Sequence, residues 1–195
     1  EDKIDALVRY HAGQLEPVDH GARVVAFAGP TDTAERVGGL PAAALAKIWA
    51  ERDFELMLIK ADGARARWIK APADYEPLVP AFADTVITVV SAKVLGRRLD
   101  SGIAHRPERA AAVMQVGVDQ PLAPAHLARL LSSEYGALQG VGAAQVVPLI
   151  NMVDDDATHA AAVEVARAAL AASDRFDRVV LASMKTASLV EVVRT

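Results

Sequence analysis

Strand-length apolar runs alternate with helix-forming stretches along almost all of this chain, and that alternation admits few folds. The runs are residues 23–28, 54–59, 85–90, 145–150 and 178–182. Between them, residues 42–52, 105–116, 124–133 and 157–172 have helical composition. Leu45, Ile48 and Trp49 share one helical face, as do Leu127, Leu130 and Leu131. Pro41 and Pro107 suit a first helical turn. Asp154, Asp155 and Asp156 precede the long alanine-rich stretch, where acidic residues favour the helix dipole. Residues 189–193 fit either a sixth strand or a terminal helix. The pattern predicts a three-layer α/β fold, a mostly parallel sheet with helices on both faces. The unbroken run Leu56-Met-Leu-Ile59 fits a strand covered on both sides. One domain over residues 1–195 is expected, with a small helical lobe near residues 96–144.

Composition narrows the function. Hydrophobic residues make up 52% of the 195 residues and aromatics only 5%, so the core must be built of Ala, Val and Leu. The absence of cysteine excludes disulfides and thiolate chemistry. No apolar run reaches membrane-span length, and a cytoplasmic protein is the expectation. A net charge of −4 argues against nucleic acid as a partner. The cations are clustered, however: Arg65, Arg67 and Lys70, then Arg97 and Arg98, then Arg106 and Arg109. A local anion site is therefore allowed.

The densest chemistry lies in Lys60-Ala-Asp-Gly-Ala-Arg-Ala-Arg-Trp-Ile-Lys70. A carboxylate placed just after an apolar run can hold Mg²⁺, which takes few protein ligands and keeps its waters. Asp62 is the candidate. Gly63 allows close backbone approach. Arg65, Arg67 and Lys70 can meet phosphate oxygens. The bland alternative is an Asp-Gly turn followed by a solvated basic loop. A second group, Asn151-Met-Val-Asp154, follows a strand and is close to the Asn-Lys-x-Asp arrangement by which many GTPases read guanine, with Met152 in place of the lysine. Ser183-Met-Lys185 ends the next strand as the companion Ser-Ala-Lys loop does. Strand-end and helix-cap duty is the competing reading. His105, beside Arg106, can act as base, acid or ligand. No Gly-x-x-x-x-Gly-Lys-Ser/Thr phosphate loop, nucleophile elbow or dinucleotide fingerprint occurs in these residues.

Lys60-Ala-Asp-Gly-Ala-Arg65, Lys70-Ala-Pro-Ala-Asp-Tyr-Glu-Pro-Leu-Val-Pro80, His105-Arg-Pro-Glu108 and the Asn151/Asp154 pair together resemble the YqeC-like selenium-dependent hydroxylase accessory proteins. The resemblance implies a P-loop NTPase-like fold that binds ATP or GTP with Mg²⁺. Its partner would be a molybdenum hydroxylase or its cofactor-maturation proteins. It implies that Asp62 holds the metal and, with Lys70, carries any catalysis. Gly63, Arg65, Arg67, Asn151, Asp154 and Ser183 would bind the nucleotide. Glu76 would brace Lys70 through an ion pair, with Lys60, His105 and Arg106 as further site candidates. Lys60 stands where the family usually has glutamate. The phosphate-loop unit is missing from these residues, and with Glu1 in place of Met it is expected upstream. A non-catalytic interaction module and a small kinase or transferase acting on an anionic metabolite are the alternatives.

Overall fold

The computed structural model describes residues 4–17, 21–32, 37–51 and 53–195. The sequence reads as one domain; in the structure the contacts cluster into two compact units, residues 1–58 and 59–195.

The first unit holds strand β1 (Ala6–His11), strand β2 (Gln14–Leu15), strand β3 (Val25–Ala28) and helix α1 (Ala42–Glu51). β1 and β2 form a hairpin, and β3 pairs parallel to β1 on its other side. The hairpin turns through Ala12 and Gly13 at φ +50° and +86°, the left-handed pair that matches strand twist. Asp5 fixes the entry to this sheet, accepting the Arg23 and Val24 amides at 2.8 Å each. The strand expected at 23–28 therefore exists, whereas β1 and β2 lack a clear sequence signal. Of the predicted α1 face, Ile48 is buried and Trp49 is exposed. Arg52, the last residue of that expected helix, lies outside the described residues.

Residues 54–59 correct the sequence reading. They form no strand, and Leu56 and Leu58 are 70% and 83% exposed. An apolar run becomes a strand only with a partner to bond, and here none pairs with it among the described residues.

The second unit runs through strand β4 (Ile69–Lys70), strand β5 (Thr85–Ser91), strand β6 (Ala104–His105), helix α2 (Pro107–Met114), helix α3 (Pro124–Ser132), strand β7 (Gln145–Asn151), helix α4 (Asp156–Ala172), strand β8 (Arg178–Ser183) and strand β9 (Ser188–Arg194). β4 and β6 pair in parallel as a two-residue ladder. The main sheet has the order β5-β7-β8-β9, with β5, β7 and β8 parallel and β9 antiparallel to β8. The ambiguous segment near 189–193 is therefore a strand. α4 starts at an Asp155–Thr158 capping box, with the Thr158 amide bonded to Asp155 Oδ1 at 2.8 Å.

One continuous core joins Val90, Val146, Ile150, Val179 and Leu181 from the sheet to Ala110, Leu127, Leu131, Val165 and Ala169 from the helices. The segment expected as a separate lobe shares that core through Leu99, Leu122 and Leu138. The opposite sheet face carries Ile87, Val89 and Val192, all exposed. Helices on both faces were expected; the helices of this unit pack on one. The chain is thus α/β with mixed, mostly parallel sheets, and three parallel strands deliver their carboxyl ends to one edge.

Candidate functional site

Two clusters of polar side chains stand out in the second unit. The first is centred on Lys70, at the end of the β4–β6 ladder beside His105. Lys70 Nζ lies 2.5 Å from Asp62 Oδ1 and 2.6 Å from Glu76 Oε2, with its side chain only 8% exposed. Glu76 Oε2 also accepts Arg106 Nη1 at 2.7 Å and the Ala73 amide at 3.2 Å. The Arg106 bond, then the neighbouring Lys70, hold the Glu76 carboxyl down to about 2 against the desolvation that opposes it. Gln139 Nε2 clamps the loop by donating to the carbonyls of Ala73 at 2.6 Å and Glu76 at 2.5 Å. The Glu76–Pro77 peptide is cis. His105 is pushed below its ordinary value by burial first, then by Arg106, Arg65 and Lys70.

Several sequence expectations change here. Asp62 does not end a strand; its Oδ1 accepts the Gly63 amide at 2.6 Å and faces Lys70. Gly63 has no positive φ, and an added Cβ would meet only the end of the Lys60 side chain, Cε at 3.6 Å and Nζ at 3.9 Å, ordinary contacts. Its glycine is not needed for close approach. Arg67 donates from Nε to the Ser101 carbonyl at 2.5 Å, so its fork serves the loop. Arg97 stacks over Trp68 at 4.8 Å, Arg98 bonds the Asp119 carbonyl at 2.7 Å, and Arg109 pairs with Asp74. The exposed cations left beside the cluster are Lys60 and Arg65.

The donor set also bears on Mg²⁺. The seat between Asp62 and Glu76 is taken by the Lys70 ammonium, and among the described residues no three His, Asp or Glu side chains group to hold a metal. Asp62 thus faces an ammonium rather than an open metal position.

The second cluster lies at the carboxyl ends of β5, β7 and β8. Asp154 Oδ1 accepts Ser183 Oγ at 2.8 Å, and Oδ2 lies 2.8 Å from Lys93 Nζ. Lys93 first, then Ser183, lower the Asp154 pKa, with Lys185 adding to the effect. Asn151 Oδ1 accepts the Met152 amide at 2.7 Å and the Met184 amide at 3.0 Å, tying two loops together. Ser91 Oγ accepts the Lys93 amide at 3.2 Å and lies 3.0 Å from Met152 Sδ. The structure thus brings Asn151, Asp154 and Ser183 together. It adds Ser91 and Lys93, which sequence reasoning missed. Their signal was Ser91-Ala-Lys93, directly after a β-branched strand.

Backbone strain marks both clusters. Arg65, Ala66 and Arg106 around Lys70, and Met152 beside Asp154, hold φ between +50° and +63° without being glycine. Chemically, the first cluster is a charge-balanced clamp. The second offers an acceptor carboxylate with lysines beside it.

A sequence model described as "YqeC protein" matches residues 3–108, more than half of the chain. The chain belongs to the YqeC family. It is similar to the relative named "Uncharacterized protein YqeC" from Escherichia coli (strain K12), at 28% identity over 106 residues, 54% of this chain and 41% of that protein. The chain therefore spans less than half of that relative's length. The YqeC match contains the whole Lys60–Pro80 block with His105 and Arg106; of the Asp154 cluster it contains Ser91 and Lys93, while Asn151, Asp154 and Ser183 lie beyond it. No solved structure matches.

Proposed function

We propose that this chain binds a nucleotide at the carboxyl ends of β5, β7 and β8. The observation that carries the reading is the meeting of Ser91, Asn151 and Ser183, one from each of three adjacent parallel strands, around a shared Asp154–Lys93 pair. In open α/β sheets the carboxyl edge of the strands is where ligands bind. Asp154 receives the base, and Asn151 ties together the two loops of the site. In the Lys70 cluster, Arg65 and Lys60 are exposed and suit a phosphate or a second anionic group, while Lys70 is held by Asp62 and Glu76. Mg²⁺ enters this reading only as a counter-ion of the nucleotide phosphates. The wider role proposed is that of an accessory protein in the maturation of selenium-dependent molybdenum hydroxylases, and it rests on the sequence resemblance.

Titration of the 195-residue chain with ATP and GTP, with and without Mg²⁺, tests the reading. At least one nucleotide is expected to bind more tightly than millimolar, and Asp154→Ala should weaken it about tenfold or more. No binding of either refutes it.

A second reading has its own observation. Tyr75 and Leu78, in the clamped proline-rich loop, are 71% and 77% exposed. Such residues on a rigid loop suit docking of a partner protein. If the loop docks a molybdenum hydroxylase, Tyr75→Ala with Leu78→Ser should abolish its capture while leaving nucleotide affinity unchanged.

A further inference from the structure

We infer that the ligand of the Asp154 site carries a 2-amino-4-oxopyrimidine edge, the edge that guanine shares with pterins, and that the site rejects adenine. The inference rests on the ligand-site reading above and narrows it to one chemical class.

The argument starts from lone pairs. A carboxylate only accepts, and each of its oxygens has room for two donors. Asp154 Oδ1 takes one from Ser183 and Oδ2 takes one from Lys93, both at 2.8 Å. Each oxygen has one partner among these contacts and room for one more donor. The ligand edge that fills both must present two adjacent N–H donors. The guanine edge does so with its ring N–H and its 2-amino group. Adenine and cytosine place one amino donor beside a ring nitrogen lone pair, which would face a carboxylate oxygen unpaired. Uracil places one N–H between two carbonyls, with the same conflict.

The surroundings favour the same edge. Next to its ring N–H, guanine carries a keto oxygen, an acceptor. Lys93 Nζ, partly exposed and 2.8 Å from Asp154 Oδ2, is a donor in the same site. Its position is set by the Ser91 cap on its amide. Lys185 supplies a second cation close to the carboxylate. Met152 and Met184 lie in the two loops that meet at Asn151 Oδ1, and their thioethers suit contact with a flat ring. Asn151 therefore positions both loops, and Ser183, itself buried, orients the carboxylate.

The test compares four probes on the full chain by calorimetry: GTP, ATP, XTP and neopterin. GTP is expected to bind about tenfold or more tightly than ATP, the cost of leaving one charged acceptor facing a lone pair. Asp154→Asn replaces two acceptors with one donor and one acceptor, the complement of the xanthine edge. It should lower GTP affinity and raise XTP affinity, an exchange that a misfolded variant cannot produce. Neopterin binding as tightly as GTP assigns the site to pterins, and GTP alone assigns it to guanine nucleotides; both support the shared edge. Neopterin binding with no nucleotide binding keeps the edge and sinks the nucleotide reading. Equal ATP and GTP affinity, with Asp154→Asn weakening both alike, overturns the edge and leaves the nucleotide reading standing. No probe binding below millimolar overturns both.

Discussion

Glu76 receives three donors on a single oxygen: Lys70 Nζ, Arg106 Nη1 and the Ala73 amide. Its carboxyl sits at about 2, well under the ordinary 4.5. A depressed carboxylate stabilises the fold fully above its unfolded pKa and loses that contribution as pH falls toward the folded one. The window is therefore from about 4.5 down to about 2. Because the side chain is 21% exposed, solvent screening reduces the effect to roughly 1–3 kcal/mol at neutral pH. Urea denaturation of wild type and Glu76→Gln should differ by that much at pH 7, and the gap should close as pH is lowered through this window. A gap independent of pH would mean that Glu76 acts through packing alone. His105 gives a second reading of the same clamp. Glu76 raises its pKa against the larger depressing effects of burial and Arg106, so Glu76→Gln should move the His105 midpoint further down in an NMR titration. An upward shift would contradict the geometry.

At the scale of elements, what was legible in the sequence depended on whether the signal was local. Residues 85–90, 145–150 and 178–182 are strands because β-branched and apolar runs suit a pleated surface with paired neighbours on hand. Residues 54–59 carry nearly the same signal and form no strand, because strand formation depends on a partner that the run itself does not encode. β1 and β2 were invisible for the converse reason: Ala6–His11 is mixed in character, and its hairpin turn depends on a left-handed Ala12 that composition does not announce. The Asn151, Asp154 and Ser183 constellation could be read because each residue sits at or just past the end of a strand. Lys93 reaches Asp154 across 61 residues of chain, a pairing that spacing does not give; the Lys70–Glu76 ion pair was expected from the resemblance and is present, whereas the contact of the same ammonium with Asp62 was not expected. Tight approach is likewise non-local. A Cβ on Gly136 would lie 2.3 Å from the Leu130 carbonyl oxygen, inside the turn that closes α3. Gly136→Ala should therefore cost roughly 1–3 kcal/mol in chemical denaturation. Gly39→Ala, where no atom lies within 4 Å, should cost less than about 0.5 kcal/mol.

For the molecule as a whole, the point at issue is whether its main sheet is covered on one face or two. β5, β7 and β8 are in parallel register, so Ile87 lies beside Val147, and Val89 beside Leu149, on a common face. Ile150 points to the other face and is fully buried against the helical layer, while Ile87 is 55% exposed. The same substitution on the two faces then separates the architectures. Ile150→Ala removes contacts from a closed core and should cost about 2–5 kcal/mol. Ile87→Ala gives up only part of a side chain already in water and should cost less than about 1 kcal/mol. A sheet with helices on both faces would make the two losses alike. Unfolding midpoints measured on both variants decide between them, and similar losses would require a layer over Ile87 and Val89. The small loss would instead leave those residues as an uncovered apolar surface, beside the carboxyl edge where Asp154 and Lys93 meet.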